Sequence, residues 1–92
     1  MTKIMDEQAL ERQLRTEGFS TTYVWQDSPN AFYPDHMHPS ETAHVILDGE
    51  MTVTMHGDAE TYHTGDRFNI PAKAMHSARM GATGCRYLIG EK

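Results

Sequence analysis

The chain has 92 residues, room for one domain, and carries 13 acidic against 8 basic side chains for a formal net charge of −5. No Lys/Arg cluster offers a footprint for nucleic-acid phosphates, no apolar run approaches the ~20 residues of a membrane span, and the N-terminus MTKIMDEQ lacks a signal peptide's apolar core. A soluble cytoplasmic domain is expected, and the lone Cys85 agrees with a reducing compartment and reads as a small buried apolar residue of the last strand.

Residues 6–17, DEQALERQLRTE, predict a helix: good helix formers throughout, acids at the start, Arg12 and Arg15 near the end and Gly18 placed to terminate it. Glu11 and Arg15 are spaced for a weak i,i+4 ion pair. The apolar stripe of Met5, Ala9, Leu10 and Leu14 is narrow, which suits a helix lying on the outside of a sheet.

From Phe19 onward the composition shifts to residues that fit a pleated, half-buried surface. In STTYVWQ, Tyr23 and Trp25 share one face, and Thr22, Val24 and Gln26 the other. A turn at residues 27–30 leads into residues 31–35, where Phe32 and Pro34 fall by alternation on the side of His36 and His38, and Pro34 predicts an edge or irregular strand. Tyr33 and Arg79 are turned away from that side by the same alternation. Further strands are expected at residues 42–47, 51–55, 59–63, 67–70, 76–80 and 85–89, separated by turns at 56–58, 64–66, 71–75 and 81–84. Seven or eight short strands after one helix imply an antiparallel sandwich or barrel.

The stretch HMHPSETAHVILDG, residues 36–49, places three histidines within nine positions. Imidazole is the commonest protein ligand for borderline transition metals, and strand alternation puts donors two apart on one surface. His36 and His38 share a face, as do Thr42, His44 and Ile46 on the following strand, and His76 heads a later one. His56 in a turn and His63 opposite Tyr62 read as solvent-exposed.

These residues resemble the cupin family. Its first motif runs from a Gly through five residues to His-x-His, then three or four residues to a Glu and six to a Gly; here it spans residues 30–49, with His36, His38 and Gly49 in register. Its second runs Gly, five residues, Pro, one residue, Gly, two residues, His, three residues, Asn; Gly65, Pro71 and His76 keep those intervals. Asn30 and Lys73 stand where the family has Gly, Met80 where it has Asn, and Thr42 where it has the Glu, with Glu41 one residue earlier and so aimed at the opposite face of a regular strand.

The resemblance implies an all-β fold, a single antiparallel jelly-roll barrel in residues 19–92 preceded by one short N-terminal α-helix in residues 1–18. It implies that His36, His38 and His76 bind a divalent metal such as Zn, Ni, Fe, Mn or Cu. His44, two residues beyond Thr42, is either the fourth ligand or, since one step of two residues is about 6.6 Å, a pocket base or hydrogen-bonding group. Phe32, Thr42, Phe68 and Met80, with Ile70 and further Met51, Val53 and Met55, are the expected lining of a pocket for a small organic ligand, anionic ones included. The implied function is that of a small metal-dependent enzyme, dioxygenase-like with Fe or isomerase- or lyase-like through Lewis-acid chemistry with Zn, Ni or Mn. The alternatives are a noncatalytic metal-containing binding or sensing module, or a purely structural domain. A homodimer is expected by analogy and because added burial favours a small barrel.

Overall fold

The computed structural model describes residues 6–92; Met5, assigned above to the helix's apolar stripe, lies outside the described residues. One helix, α1 (Glu7–Thr16), precedes six strands: β1 (Thr21–Asp27), β2 (Phe32–His36), β3 (Thr42–Met55), β4 (Asp58–His63), β5 (Arg67–Ile70) and β6 (His76–Glu91). Every strand pairing is antiparallel.

The six strands replace the seven or eight expected because residues 42–47 and 51–55 form one strand, and residues 76–80 and 85–89 another. β3 and β6 pair with each other from Thr42↔Glu91 to Thr54↔Ser77, with register shifts between Ile46 and Asp48 and between Gly49 and Met51. At those shifts both strands bend, so each contributes to two layers. The first layer runs β5, β3, β6, β1, and the second β4, β3, β6, β2. Facing layers enclose a core that includes Ile46, Phe68, Tyr87 and Ile89 from the first and Met51, Val53, Ala78 and Met80 from the second. This is the expected jelly-roll barrel with one helix outside it.

The bend demands glycine. Gly49 (φ 83°) lies against the carbonyl oxygen of Gly84, so close that a Cβ there would overlap it, and Gly84 (φ 82°) in turn packs on the carbonyl of Asp27.

Alternation places Thr42, His44 and Ile46 inward, and Ala43, Val45 and Leu47 outward, yet all six are buried. The outward set is covered by Leu14, Leu10 and Phe19, which makes α1 the lid of the first layer's outer face. Asp6 caps the helix by accepting from the Ala9 N–H at 3.1 Å. Its far end is a Schellman motif: Gly18 (φ 101°) and Phe19 donate their N–H groups to the carbonyls of Arg15 and Leu14. Two bidentate ion pairs tie the helix ends to the barrel, Arg86 to Glu7 at 2.8–2.9 Å and Arg67 to Glu17 at 2.7–2.8 Å. The Arg67 hydrogen bonds hold the Glu17 carboxyl down to about 2. The Glu11–Arg15 pair read from spacing is there at 4.0 Å, long and exposed.

Asn30 and Lys73, the residues that occupy motif glycine positions, both keep a left-handed backbone, φ 60° and 63°. The turn geometry is thus retained without glycine, at a cost of roughly 1–2 kcal/mol for a non-glycine residue. Lys73 is exposed, and its N–H donates to the His38 carbonyl at 2.8 Å.

Two outcomes follow for urea unfolding at neutral pH. Lys73→Gly keeps that hydrogen bond and relieves the backbone, and is expected to raise stability by about 0.5–1 kcal/mol after the added unfolded-state entropy of glycine. Gly49→Ala is expected to lower it by about 2–4 kcal/mol, because the methyl group has no space beside Gly84.

Candidate metal centre and ligand cavity

Three histidines meet at the end of the barrel away from the bend. His36 closes β2 and His76 opens β6, and the two are direct cross-strand partners. His38 follows in the loop that the Lys73 N–H clamps through its carbonyl. The ligating nitrogens of His36, His38 and His76 all lie within 4.8 Å of one another, and the ring centroids are 4.2–5.3 Å apart.

Backbone carbonyls set the tautomers of two of these rings. Nδ1 of His36 lies 2.8 Å from the Pro34 oxygen, and Nδ1 of His76 lies 3.0 Å from the Ala74 oxygen. A carbonyl only accepts, so each Nδ1 carries a proton, and in the neutral tautomer this fixes, Nε2 bears the lone pair. Burial is the main influence that lowers the pKa of His38 and His76, and the neighbouring imidazoles push the same way. His38 and His76 are thereby kept neutral, and the three rings together offer a set of nitrogen donors that suits a borderline divalent metal.

His44 stands outside this group. It is buried on the inner face of β3, stacked on Phe68 with centroids 4.7 Å apart and planes within 6° of parallel. Burial first, and then the three other imidazoles, pull its pKa down to about 3, so it is neutral at pH 7. Its Nδ1 and the Oγ1 of its face-mate Thr42 are both buried without a hydrogen-bond partner among the described residues. Two orphaned polar atoms side by side mark the wall facing the histidine cluster as one that a polar ligand or water completes.

Between the layers lies a cavity of about 260 Å³. Among its lining are His36, His38, His44 and His76, with Thr42, Phe68, Ile70, Met80, Met51 and Val53. Phe32 is not in it: the residue is about half exposed, with the Arg79 guanidinium 4.5 Å from its ring centroid. Met55 also stays out of the lining and packs at the margin of the core. The register of β2 against β6 shifts between Tyr33 and His36, and this irregularity, at the place Pro34 signalled, reverses the alternation. Tyr33 consequently turns to the cavity and Phe32 away from it.

The cavity also holds residues that sequence reasoning left unassigned. Tyr23 and Trp25 of β1, Tyr87 of β6 and Glu91 at the strand's end all line it. Asp27, read only as the start of a turn, is a buried carboxylate that accepts from Trp25 Nε1 at 3.0 Å, Tyr33 Oη at 2.6 Å and Tyr87 Oη at 2.6 Å. Glu91 is the cross-strand partner of Thr42 and accepts from Tyr23 Oη at 3.0 Å. Glu91 meets Tyr23 and Asp27 meets Tyr87 only across strands far apart in sequence, so no local pattern marks either carboxylate as part of the site.

The other titratable residues read from sequence lie elsewhere. Exposed His63 pairs with Glu50 at 3.1 Å, His56 sits in the β3–β4 turn, and burial pushes the Cys85 thiol up to about 12, leaving it unreactive.

Comparison with known proteins agrees with this architecture. The Cupin domain family profile matches residues 23–89. Among solved structures, a cupin-2 domain containing protein from Shewanella frigidimarina NCIMB 400 superposes with a TM-score of 0.67 at 17% identity, over 76% of this chain and 67% of that one. The DMSP lyase DddQ from Ruegeria pomeroyi DSS-3 gives 0.69 at 27% identity, over 77% of this chain and 37% of the lyase. Bacillus subtilis oxalate decarboxylase, described with Mn(II) centres, gives 0.68 at 21% identity, over 77% of this chain and 20% of that one. This chain thus spans between a fifth and two thirds of the length of these structures. No curated protein sequence matches it. With the profile covering most of the described residues and the barrel and histidine spacing in agreement, the chain belongs to the cupin family.

Proposed function

We propose that this chain is a small metal-dependent enzyme of the lyase or isomerase type, in which His36, His38 and His76 hold one divalent transition metal at the open end of the barrel. The observation that carries the reading is the convergence of three imidazoles, two with Nδ1 held by a backbone carbonyl so that Nε2 faces its neighbours, at the wall of a cavity between the layers. A metal bound there supplies Lewis-acid polarisation of a ligand oxygen. The chain's own residues bind and orient the ligand: Thr42 Oγ1 and His44 Nδ1 are unpartnered polar atoms of the opposite wall, while Phe68, Ile70 and Met80 exclude water. A cavity of about 260 Å³ lies below the range of about 300–1,000 Å³ that drug-sized ligands occupy, which selects a small metabolite over a polymer. The lyase activity of the 27%-identical DddQ supports the reaction class.

The first test is metal content by mass spectrometry on protein purified without a histidine tag and reconstituted with Zn, Mn, Ni or Fe. Near-stoichiometric metal is expected in the wild type, with a loss of at least about 100-fold in affinity for His36→Ala, which removes a donor, and a change within about tenfold for His44→Ala, which lies outside the cluster. Wild-type protein that takes up no metal would defeat the proposal, and a loaded protein that binds a ligand without converting it would be a binding module.

Protonation links the site to stability. His44 titrates at about 3 when folded against its ordinary 6.5, so between these values the unfolded chain binds the extra proton and acid favours unfolding. Its contribution is complete above pH 6.5 and declines as the pH falls toward 3. Urea unfolding of metal-free protein is expected to show a loss of about 2 kcal/mol between pH 7 and pH 5, where the carboxylate ion pairs are still ionised, and a smaller loss in His44→Leu.

A further inference from the structure

The cavity's charge and ring chemistry are unsuited to an anion away from the histidine cluster. Among the described residues, Glu91 is the one formally charged side chain of the lining, and no Lys or Arg is part of it. The polar edges of the aromatic residues are already engaged: Tyr23 Oη donates to Glu91, and Trp25 Nε1 and Tyr33 Oη donate to a single oxygen of Asp27. With their donors spent on carboxylates, these residues offer the cavity ring surface rather than N–H or O–H groups. Hydrogen bonding to a carboxylate also raises the electron density of a ring, which strengthens its attraction for a cation.

The position of these rings points outward as well as inward. β1 and β2 are the edge strands of the two layers, each paired only with β6. Tyr23, Trp25 and Tyr33 line the cavity while remaining 38%, 51% and 37% exposed, so they stand at its mouth between the two edges. Glu91 is held at this side by Tyr23.

We infer that this mouth, formed by Tyr23, Trp25, Tyr33 and Glu91, is a subsite for a compact methylated organic cation, an ammonium or sulfonium head group. Aromatic faces and a carboxylate are the complement of a cation too bulky to donate hydrogen bonds. The inference deepens the enzyme reading by naming the substrate class, and rests on it only in taking the cavity as the ligand site; the rings and the carboxylate require no metal.

The test is calorimetric titration of tag-free protein with choline and with 3,3-dimethyl-1-butanol, which has the same shape without the charge, in metal-free and zinc-treated forms. Choline is expected to bind at least about tenfold more tightly than the neutral alcohol in either form. Glu91→Gln, which preserves shape, is expected to reduce that preference to about twofold, and Trp25→Leu to weaken choline by about tenfold, with thermal melts showing that both variants fold. Equal affinity for the two probes, failure of both to bind at millimolar concentration, or a preference that survives in Glu91→Gln would overturn the inference. A choline preference in protein that takes up no metal would leave the inference standing and defeat the metal reading, and metal uptake without the preference would do the reverse.

Discussion

The ladder between β3 and β6 is the constraint on which the rest of the structure depends. These two strands run together from Thr42↔Glu91 to Thr54↔Ser77 and bend together where Gly49 meets Gly84. They bend as a pair, with Leu47, Glu50 and residues 81–84 left out of the register at the bend, and one ladder supplies the centre of both layers. The bend closes one end of the barrel. The other end collects what the two layers bring there: His36 and His76 from one, Thr42 and Glu91 from the other.

Within that end, backbone groups do much of the positioning. The carbonyls of Pro34 and Ala74 fix the rings of His36 and His76, and the carbonyl of His38 is gripped by the Lys73 N–H. Each of these contacts lies in an irregular stretch, at the end of β2 or in the loop before β6, where carbonyls are free of ladder pairing. The cluster is thus oriented by segments that the regular strands hold at their ends, which ties the histidine geometry to the left-handed turn at Lys73.

A 92-residue chain has little core to spare, and this one uses its helix to gain more. The outward face of β3 carries Ala43, Val45 and Leu47, which would lie in water without Leu14, Phe19 and Leu10 above them. Residues 42–47 of the strand are buried on both faces as a result, which is unusual for an antiparallel sheet with a solvated outer side. Two arginines, Arg67 from β5 and Arg86 from β6, hold the helix at its ends. Their geometry is bidentate but their side chains are partly exposed, so they orient the helix more than they stabilise the fold.

Local patterning alone determined a good part of this protein. The composition of residues 6–17 and Gly18 defined the helix and its stop, the spacing of His36, His38 and His76 named the cluster, and period-two alternation assigned Thr42, His44 and Ile46 to the inner face. Each of these rests on contacts within a few residues or on a spaced motif, and both are visible along the chain. What only the tertiary structure decided depends on register between distant strands. The irregularity in β2 turned Tyr33 inward and Phe32 outward, and pairing that resumes beyond the bend merged four expected strands into two. It also gathered Trp25, Tyr33 and Tyr87 around Asp27 and set Glu91 opposite Thr42. Alternation is a property of one strand, whereas register is set by the packing of two. For that reason the metal-ligand candidates could be read in sequence, and the carboxylates and aromatic rings around them could not.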